Sequence, residues 1–385
     1  RSRLVPHYGE KSTIQMGGTM IRALTAPRRY VQGAGALSEA GALVGALGKK
    51  VLLVMGPHVA GATGPRITEA LEVGGLAVAT FSFSGESSRG EVAAGVEAGR
   101  REGSTVVIGA GGGKAVDTAR AIAATLGAAM VSLPTIASND SPTSAVTVYY
   151  TDEGVLDGFD VWPANPDLVL VDTTLIAEAP VRWLVSGMGD ALATWFEAEA
   201  AYKGRRPALS GGVPTRAALA LARLCHETLF EDGLAARRAV EHRVVTPALE
   251  RIVEANILLS GLGWESGGLA TAHTLGNGLT LVPSTHGLSH GEKVAFGLAT
   301  QLCLDDDIDG TTREAVFRFM IELGLPVTLA EAGLGALDEE ALRAVAAELT
   351  APGQFLHNHV FPVTADSLYG AMIDADAYAT ALKSV

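Results

Sequence analysis

Short apolar runs alternate with longer amphipathic stretches from Ala26 to about Asp172. VLLVM (51–55), LAVATFSF (76–83), TVVIGAGGG (105–113), AMVSLPT (129–135) and DLVLVD (167–172) read as buried strands. The stretches from Pro65 to Val73, over GEVAAGVEAGRREG (90–103) and over AVDTARAIAATLG (115–127) read as helices between them. Strands apolar throughout and separated by helices imply a mostly parallel, Rossmann-like sheet covered on both faces. VTVYYTDEGVLDGFDVW (146–162) breaks that rhythm, and its two extended runs around a DEG turn predict a hairpin. After Pro180 the strand signal stops. Helical spacing recurs over 190–203, 214–231, 248–263, 291–304, 311–323, 338–349 and 366–384. The expectation is an α/β domain over 20–176 followed by an all-α domain over 177–385. Residues 1–19 fit neither pattern and are expected to form a disordered leader before Met20.

Composition narrows the class. A chain of 385 residues, 48% hydrophobic and 18% charged, has ample material for two packed cores and does not read as disordered. Its net charge of -13 and lack of a Lys/Arg-rich patch argue against nucleic-acid or anionic-membrane partners. The two cysteines, Cys225 and Cys303, lie in apolar helical runs with no CxxC, as expected of reduced thiols in a cytoplasmic protein. No apolar stretch approaches the roughly 18 residues a membrane span needs.

Three stretches carry candidate chemistry. Gly109-Ala110-Gly111-Gly112-Gly113-Lys114 joins a strand to a helix N-terminus, where backbone N–H groups and the helix dipole favour phosphate. It matches neither GxxxxGK[ST], since residue 115 is alanine, nor GxGxxG, since Lys114 stands at the last glycine. Asp117 follows in the first turns of that helix, placed to cap it or to touch a ribose or nicotinamide. PTIASNDSPTSA (134–145) leaves the next strand at the end where open α/β sheets bind ligands, and it carries Thr135, Ser138, Asp140 and Ser144. TAHTLGNGLTLVPSTHGLSHGEKVAFG (271–297) holds His273 and His290, with turn residues between two apolar runs. Two helices joined by that connection bring both imidazoles together. The carboxylate a divalent ion usually wants beside them is Asp190, which follows a glycine pair and opens an apolar helix. Taken singly, each histidine also suits an ordinary partly buried side chain and Asp190 a helix cap. Together the three suit one catalytic metal. His357 and His359 lack an element that would align them as ligands.

Together GGGKAVDTARA (111–121), PTIASNDSPTSAVTVYYT (134–151), GMGDALATWFEAEA (187–200) and HGEKVAFG (290–297) resemble the glycerol dehydrogenase branch of the iron-containing (group III) alcohol dehydrogenase family. HNHVFPVT (357–364) resembles its C-terminal segment less closely. The resemblance implies a dehydroquinate synthase-like arrangement: an NAD-binding α/β domain, a helical domain and a Zn2+ ion in the cleft between them. The family's metal ligands fall on Asp190, His273 and His290, and its glycerol-contacting aspartate on Asp140. Its NAD contacts fall on Gly112, Gly113, Lys114, Asp117, Thr135, Ser138, Ser144, Val146 and Tyr150. Members form homo-oligomeric rings, commonly octamers. Three departures stand out. Iron-dependent relatives carry a further histidine where this chain has Thr194, which favours the three-ligand zinc type. Glycerol dehydrogenases of that branch carry a second histidine where this chain has Gly276. Many members end the first strand with an acidic residue, whereas Met55-Gly56-Pro57 offers no carboxylate against a 2′-phosphate.

The implied chemistry is oxidation of glycerol, or a similar vicinal diol, to dihydroxyacetone or its analogue. Zn2+ acts as Lewis acid, NAD takes the hydride and Asp140 orients a neighbouring hydroxyl. The competing readings are an enzyme of the same fold acting on a phosphorylated substrate, like glycerol-1-phosphate dehydrogenase or dehydroquinate synthase, and a non-catalytic NAD-binding sensor. The first needs basic residues near the substrate, yet 137–150, 187–200 and 271–290 contain no Lys or Arg, with Lys293 the one nearby exception.

Overall fold

The structure, a computed structural model, describes residues 21–384; the leader expected over 1–19 lies outside them. Among the described residues, the strands are β1 (Tyr30–Gly33), β2 (Lys50–Met55), β3 (Ala77–Ser82), β4 (Val106–Gly111), β5 (Ala129–Pro134), β6 (Val146–Tyr150), β7 (Leu156–Val161) and β8 (Leu168–Asp172). The helices are α1 (Ala40–Gly45), α2 (Pro57–Ala62), α3 (Gly64–Val73), α4 (Arg89–Glu102), α5 (Gly113–Leu126), α6 (Thr173–Glu178), α7 (Val181–Gly204) and α8 (Arg216–Glu241). They continue as α9 (Pro247–Glu254), α10 (Ser260–Gly267), α11 (Thr271–Gly278), α12 (His290–Leu304), α13 (Gly310–Leu323), α14 (Glu339–Leu349) and α15 (Ala365–Lys383). None is long and apolar enough to cross a membrane.

Two compact units emerge. One comprises 25–184 with 235–261; the other comprises 185–234 with 262–384 and the short lead-in from 21. The break near 184 falls inside α7, and the segment 235–261 belongs with the strands although its own pattern is helical.

The first unit carries a six-stranded sheet, β1-β8-β5-β4-β2-β3, with every neighbouring pair parallel. Alternate residues explain why these strands are apolar throughout. Leu53, Met55, Ile108 and Leu133 pack on one face with Ile67 and Leu71 of α3. Leu52, Val54, Val107 and Met130 pack on the other with Val116 and Ile122 of α5. The chain runs outward from β2 to β3 and in the opposite direction from β4 to β5, so the switch point lies between β2 and β4, beside the glycine turn. β6 and β7 form the expected antiparallel hairpin, with Gly154 at φ +81° in its turn.

The second unit is helical, with Leu275, Leu279, Phe296, Leu356, Leu368 and Met372 in one buried cluster. Between α9 and α10 a π-helical turn, Ala255–Leu259, interrupts what reads in sequence as one helix over 248–263.

Candidate active site

Asp190, His273 and His290 stand on α7, α11 and α12. One expectation needs correction: Asp190 does not open its helix. α7 begins at Val181, and Gly187 and Gly189 lie inside it. They look like breaks in sequence, but Gly189 serves close packing. A Cβ there would stand 2.7 Å from the Gly291 carbonyl, and one on Gly291 would stand 1.8 Å from the Ser186 carbonyl. A Cβ on Gly297 would meet the Ala272 carbonyl at 2.1 Å. Glycine at these points lets the three backbones come close enough for short side chains to converge. Gly276 belongs to the same contact: a Cβ there would meet Val294 at 2.9 Å.

The ligand atoms of Asp190, His273 and His290 all lie within 4.8 Å of one another. Asp190 Oδ1 is 3.3 Å from His273 Nε2 and 3.2 Å from His290 Nε2. Neither contact has hydrogen-bond geometry, and among the described residues Oδ2 has no hydrogen-bond partner either. A fully buried carboxylate without a hydrogen-bond donor is costly unless a cation faces it. Burial alone would push the Asp190 carboxyl up. The charge of His290 and the contacts with His273 outweigh it and hold the carboxyl below the usual range. For His273 burial pulls down, while Glu197 and Asp190 prevail and raise it well above an ordinary imidazole. One carboxylate oxygen facing two imidazole nitrogens is a donor set that fits a divalent ion.

Residues that sequence reasoning missed surround these three side chains. Glu197 Oε1 accepts the N–H groups of Ala270 (2.8 Å) and His273 (2.9 Å), and Oε2 bonds His273 Nδ1. Gln301 Oε1 accepts the N–H groups of Thr271 (3.1 Å) and Ala272 (3.0 Å). All four amides at the start of α11 are thereby satisfied by buried side chains of α7 and α12. The signal was present in the spacing. Glu197 lies seven residues after Asp190, on the same helix face, and Gln301 eleven after His290. Ser289 starts α12 with a capping box to Glu292, and its hydroxyl donates to Ser186 Oγ at 2.8 Å. Thr194 is fully buried and packs closely against α10: a Cβ on Gly263 would meet its Cγ2 at 2.6 Å. His286 Nε2 lies 2.9 Å from the Thr280 carbonyl. His359 Nε2 lies 3.0 Å from Thr271 Oγ1, and His357 Nε2 approaches the Thr350 carbonyl at 3.2 Å.

In the strand-bearing unit the candidate dinucleotide residues gather at the carboxyl ends of β4 and β5. Gly111, at φ +151°, turns the chain into α5, and Thr135 N–H bonds the Gly111 carbonyl at 3.1 Å. Gly112 caps α5 without a side chain. Among the described residues no side chain accepts from the Gly113 or Lys114 amide. A Cβ on Gly112 would reach Ile136 at 2.9 Å and Ser138 Oγ at 3.9 Å, and one on Gly113 would strike the Asn139 carboxamide at 2.3 Å. Lys114 Nζ pairs with Glu86 at 2.5 Å and lies 5.0 Å above the Tyr150 ring. Asp117 is buried and fully engaged. It holds Arg120 at 2.6 Å, the Ser141 hydroxyl and the Val148 amide at 3.0 Å, while Arg120 also bonds the Ser141 and Val146 carbonyls. That network ties α5 to the 141–148 backbone, where Ser144 Oγ accepts the Val146 N–H at 3.3 Å. Asp140 Oδ2 accepts from Ser260 Oγ at 2.6 Å. The π-helical region holds the same loop through Asn256 to the Ala137 carbonyl (3.0 Å) and through Thr143 Oγ1 to the Ile257 carbonyl (3.1 Å).

Residues 27–173 match the family model described as iron-containing alcohol dehydrogenase. The chain is 46% identical to a glycerol dehydrogenase of Pseudomonas putida over 357 residues, 93% of this chain and 98% of that one. It is 44% identical to a glycolaldehyde reductase of Halobacterium salinarum over the same shares. The solved structure of a probable glycerol dehydrogenase from Sinorhizobium meliloti superposes with a TM-score of 0.88 at 39% identity, over 94% of this chain and all of that one. Identity at this level over nearly the whole of both chains leaves one assignment: the protein belongs to the iron-containing alcohol dehydrogenase family.

Proposed function

We propose that the protein is a zinc- and NAD-dependent polyol dehydrogenase that oxidises glycerol, or a similar vicinal diol, at its secondary hydroxyl to the ketone. The observation that carries this is the convergence of Asp190, His273 and His290 around a buried carboxylate that nothing else satisfies. The glycerol dehydrogenases of matching length support the substrate class. Three protein ligands leave a coordination position for substrate, the catalytic zinc pattern, and Thr194 supplies no fourth imidazole.

When bound, the metal polarises a substrate oxygen as Lewis acid and the dinucleotide takes up the hydride. The chain's own residues do the rest. Asp190, His273 and His290 hold the ion. Asp140, fixed by Ser260, orients a hydroxyl next to the reacting carbon, so a diol is preferred to a simple alcohol. Gly112, Gly113 and the uncapped start of α5 receive the pyrophosphate, with Lys114 beside it. Thr135, Ser138, Ser144, Val146 and Tyr150 line the remaining dinucleotide contacts, and Asp117 enters through the loop it anchors. A homo-oligomeric ring is part of the same reading. The glycolaldehyde reductase relative favours a second use of the site, reduction of a small hydroxyaldehyde by NADH.

The test is NADH absorbance with glycerol and NAD on metal-stripped and zinc-reloaded protein. Turnover that disappears on stripping and returns with zinc is expected. Undiminished turnover after stripping would overturn the metal reading. No turnover with zinc and NADH both bound would overturn the substrate, and glycolaldehyde with NADH would be assayed next.

A further inference from the structure

Every ligand of a metal centre needs its lone pair aimed before the ion arrives, and His273 is held in an unusual way. Glu197 grips it twice, at the backbone N–H through Oε1 and at ring Nδ1 through Oε2. The same Oε1 accepts the Ala270 N–H, so one carboxylate both starts α11 and orients the imidazole on it. We propose that Glu197 is the positioning residue of the metal centre, keeping the His273 ring proton on Nδ1 so that Nε2 is the nitrogen left to ligate. The proposal rests on Asp190, His273 and His290 being the ligands.

The argument is one of donor inventory. An ionised carboxylate has acceptors only, so the ring nitrogen facing it must carry the proton. That nitrogen is Nδ1, so Nε2, 3.3 Å from Asp190 Oδ1 and without hydrogen-bond geometry to it, is the nitrogen that gives up any proton to ligate an arriving ion. Glutamine at 197 splits these duties. Its carbonyl oxygen can still accept both amides at the start of α11. Its NH2 group then faces Nδ1, which must turn acceptor, and the ring proton moves to Nε2 and blocks the ligand lone pair. Shape and helix cap survive while the tautomer inverts. Gln301 is the natural control, because it caps the other two amides of the same helix start and touches no ligand ring.

The experiment measures zinc affinity by chelator competition, together with the melting temperature of metal-free protein, for wild type, Glu197→Gln, Gln301→Ala and Asp190→Asn. Glu197→Gln should bind zinc about 10–100-fold more weakly. Gln301→Ala should melt lower yet bind zinc like wild type. Glu197→Gln with wild-type affinity would overturn the proposal, as would matching behaviour of the two shell variants. Asp190→Asn separates the layers. If it binds zinc normally, the ligand reading itself fails; if it loses zinc while Glu197→Gln keeps it, only the role of Glu197 fails. Should Glu197→Gln not fold, the tautomer is read in zinc-loaded wild type labelled with ¹⁵N-histidine, with the residue 273 signal assigned by its loss in His273→Gln. A protonated Nδ1 and metal-bound Nε2 are expected, and zinc on Nδ1 would refute the assignment.

Discussion

Two helix starts in this molecule are treated in opposite ways. At α11 all four leading amides are taken by Glu197 and Gln301, buried side chains of other helices. At α5 the cap is a glycine and, among the described residues, no side chain accepts from Gly113 or Lys114. Helix starts are ready anion sites in either case. On the proposed reading, the closed start belongs to the helix that carries His273 and the open one to the helix that would receive a phosphate. An anionic carboxylate at α11 also sits well with the helix dipole, so its orienting role over His273 comes with a stabilising one.

The sharpest way to break the closed end is steric. Gly291→Ala drives a methyl to 1.8 Å from the Ser186 carbonyl on backbone that cannot yield cheaply. It should cost about 3 kcal/mol or more and strip the metal by displacing His290, read as melting temperature and zinc content. Next comes Gln301→Ala, which leaves two buried amides unpaired and should cost about 2–3 kcal/mol by denaturant unfolding. Two buried histidines sharpen the comparison further. His273 has a carboxylate partner and is raised, whereas His226, between the rings of Phe196 and Phe230, is lowered to about 4, chiefly by burial. A base with a depressed folded pKa supports stability fully above its unfolded value near 6.5, and that support is lost as pH falls towards 4. His226→Phe should therefore flatten the acid limb of the stability profile by about 2 kcal/mol at pH 4, with little change at pH 8. The smallest effect is catalytic. Asp140→Asn should raise the apparent KM for glycerol about tenfold and that for 2-propanol far less, a difference of about 1.4 kcal/mol. Equal effects on both alcohols would remove its orienting role.

Much of this was legible in the chain. Strands buried on both faces are continuous apolar runs, so β2, β4, β5 and β8 stood out, and the DEG turn exposed the hairpin. β1 did not, because it is four half-buried residues at the sheet edge. The start of α7 was hidden by Gly187 and Gly189, which look like breaks until the Gly291 backbone is seen against Gly189. Asp190, His273 and His290 could be singled out from residue type and resemblance, and the structure brings them together. Glu197 could not, although it shares a helix face with Asp190, because its worth depends on where α11 begins. The return of 235–261 to the strand-bearing unit has no local signal at all: it is helix by pattern and is placed by long-range contacts such as Gln32 to Glu250 at 2.7 Å.

The most direct test sets the two helix starts side by side, by zinc content and NADH fluorescence titration of His273→Ala and Gly113→Ala. The account predicts a crossed result. His273→Ala loses zinc and still binds NADH. Gly113→Ala, whose methyl strikes Asn139 at 2.3 Å and narrows the phosphate approach, keeps zinc and binds NADH weakly. Zinc retained in His273→Ala, or NADH bound undiminished by Gly113→Ala, would contradict it.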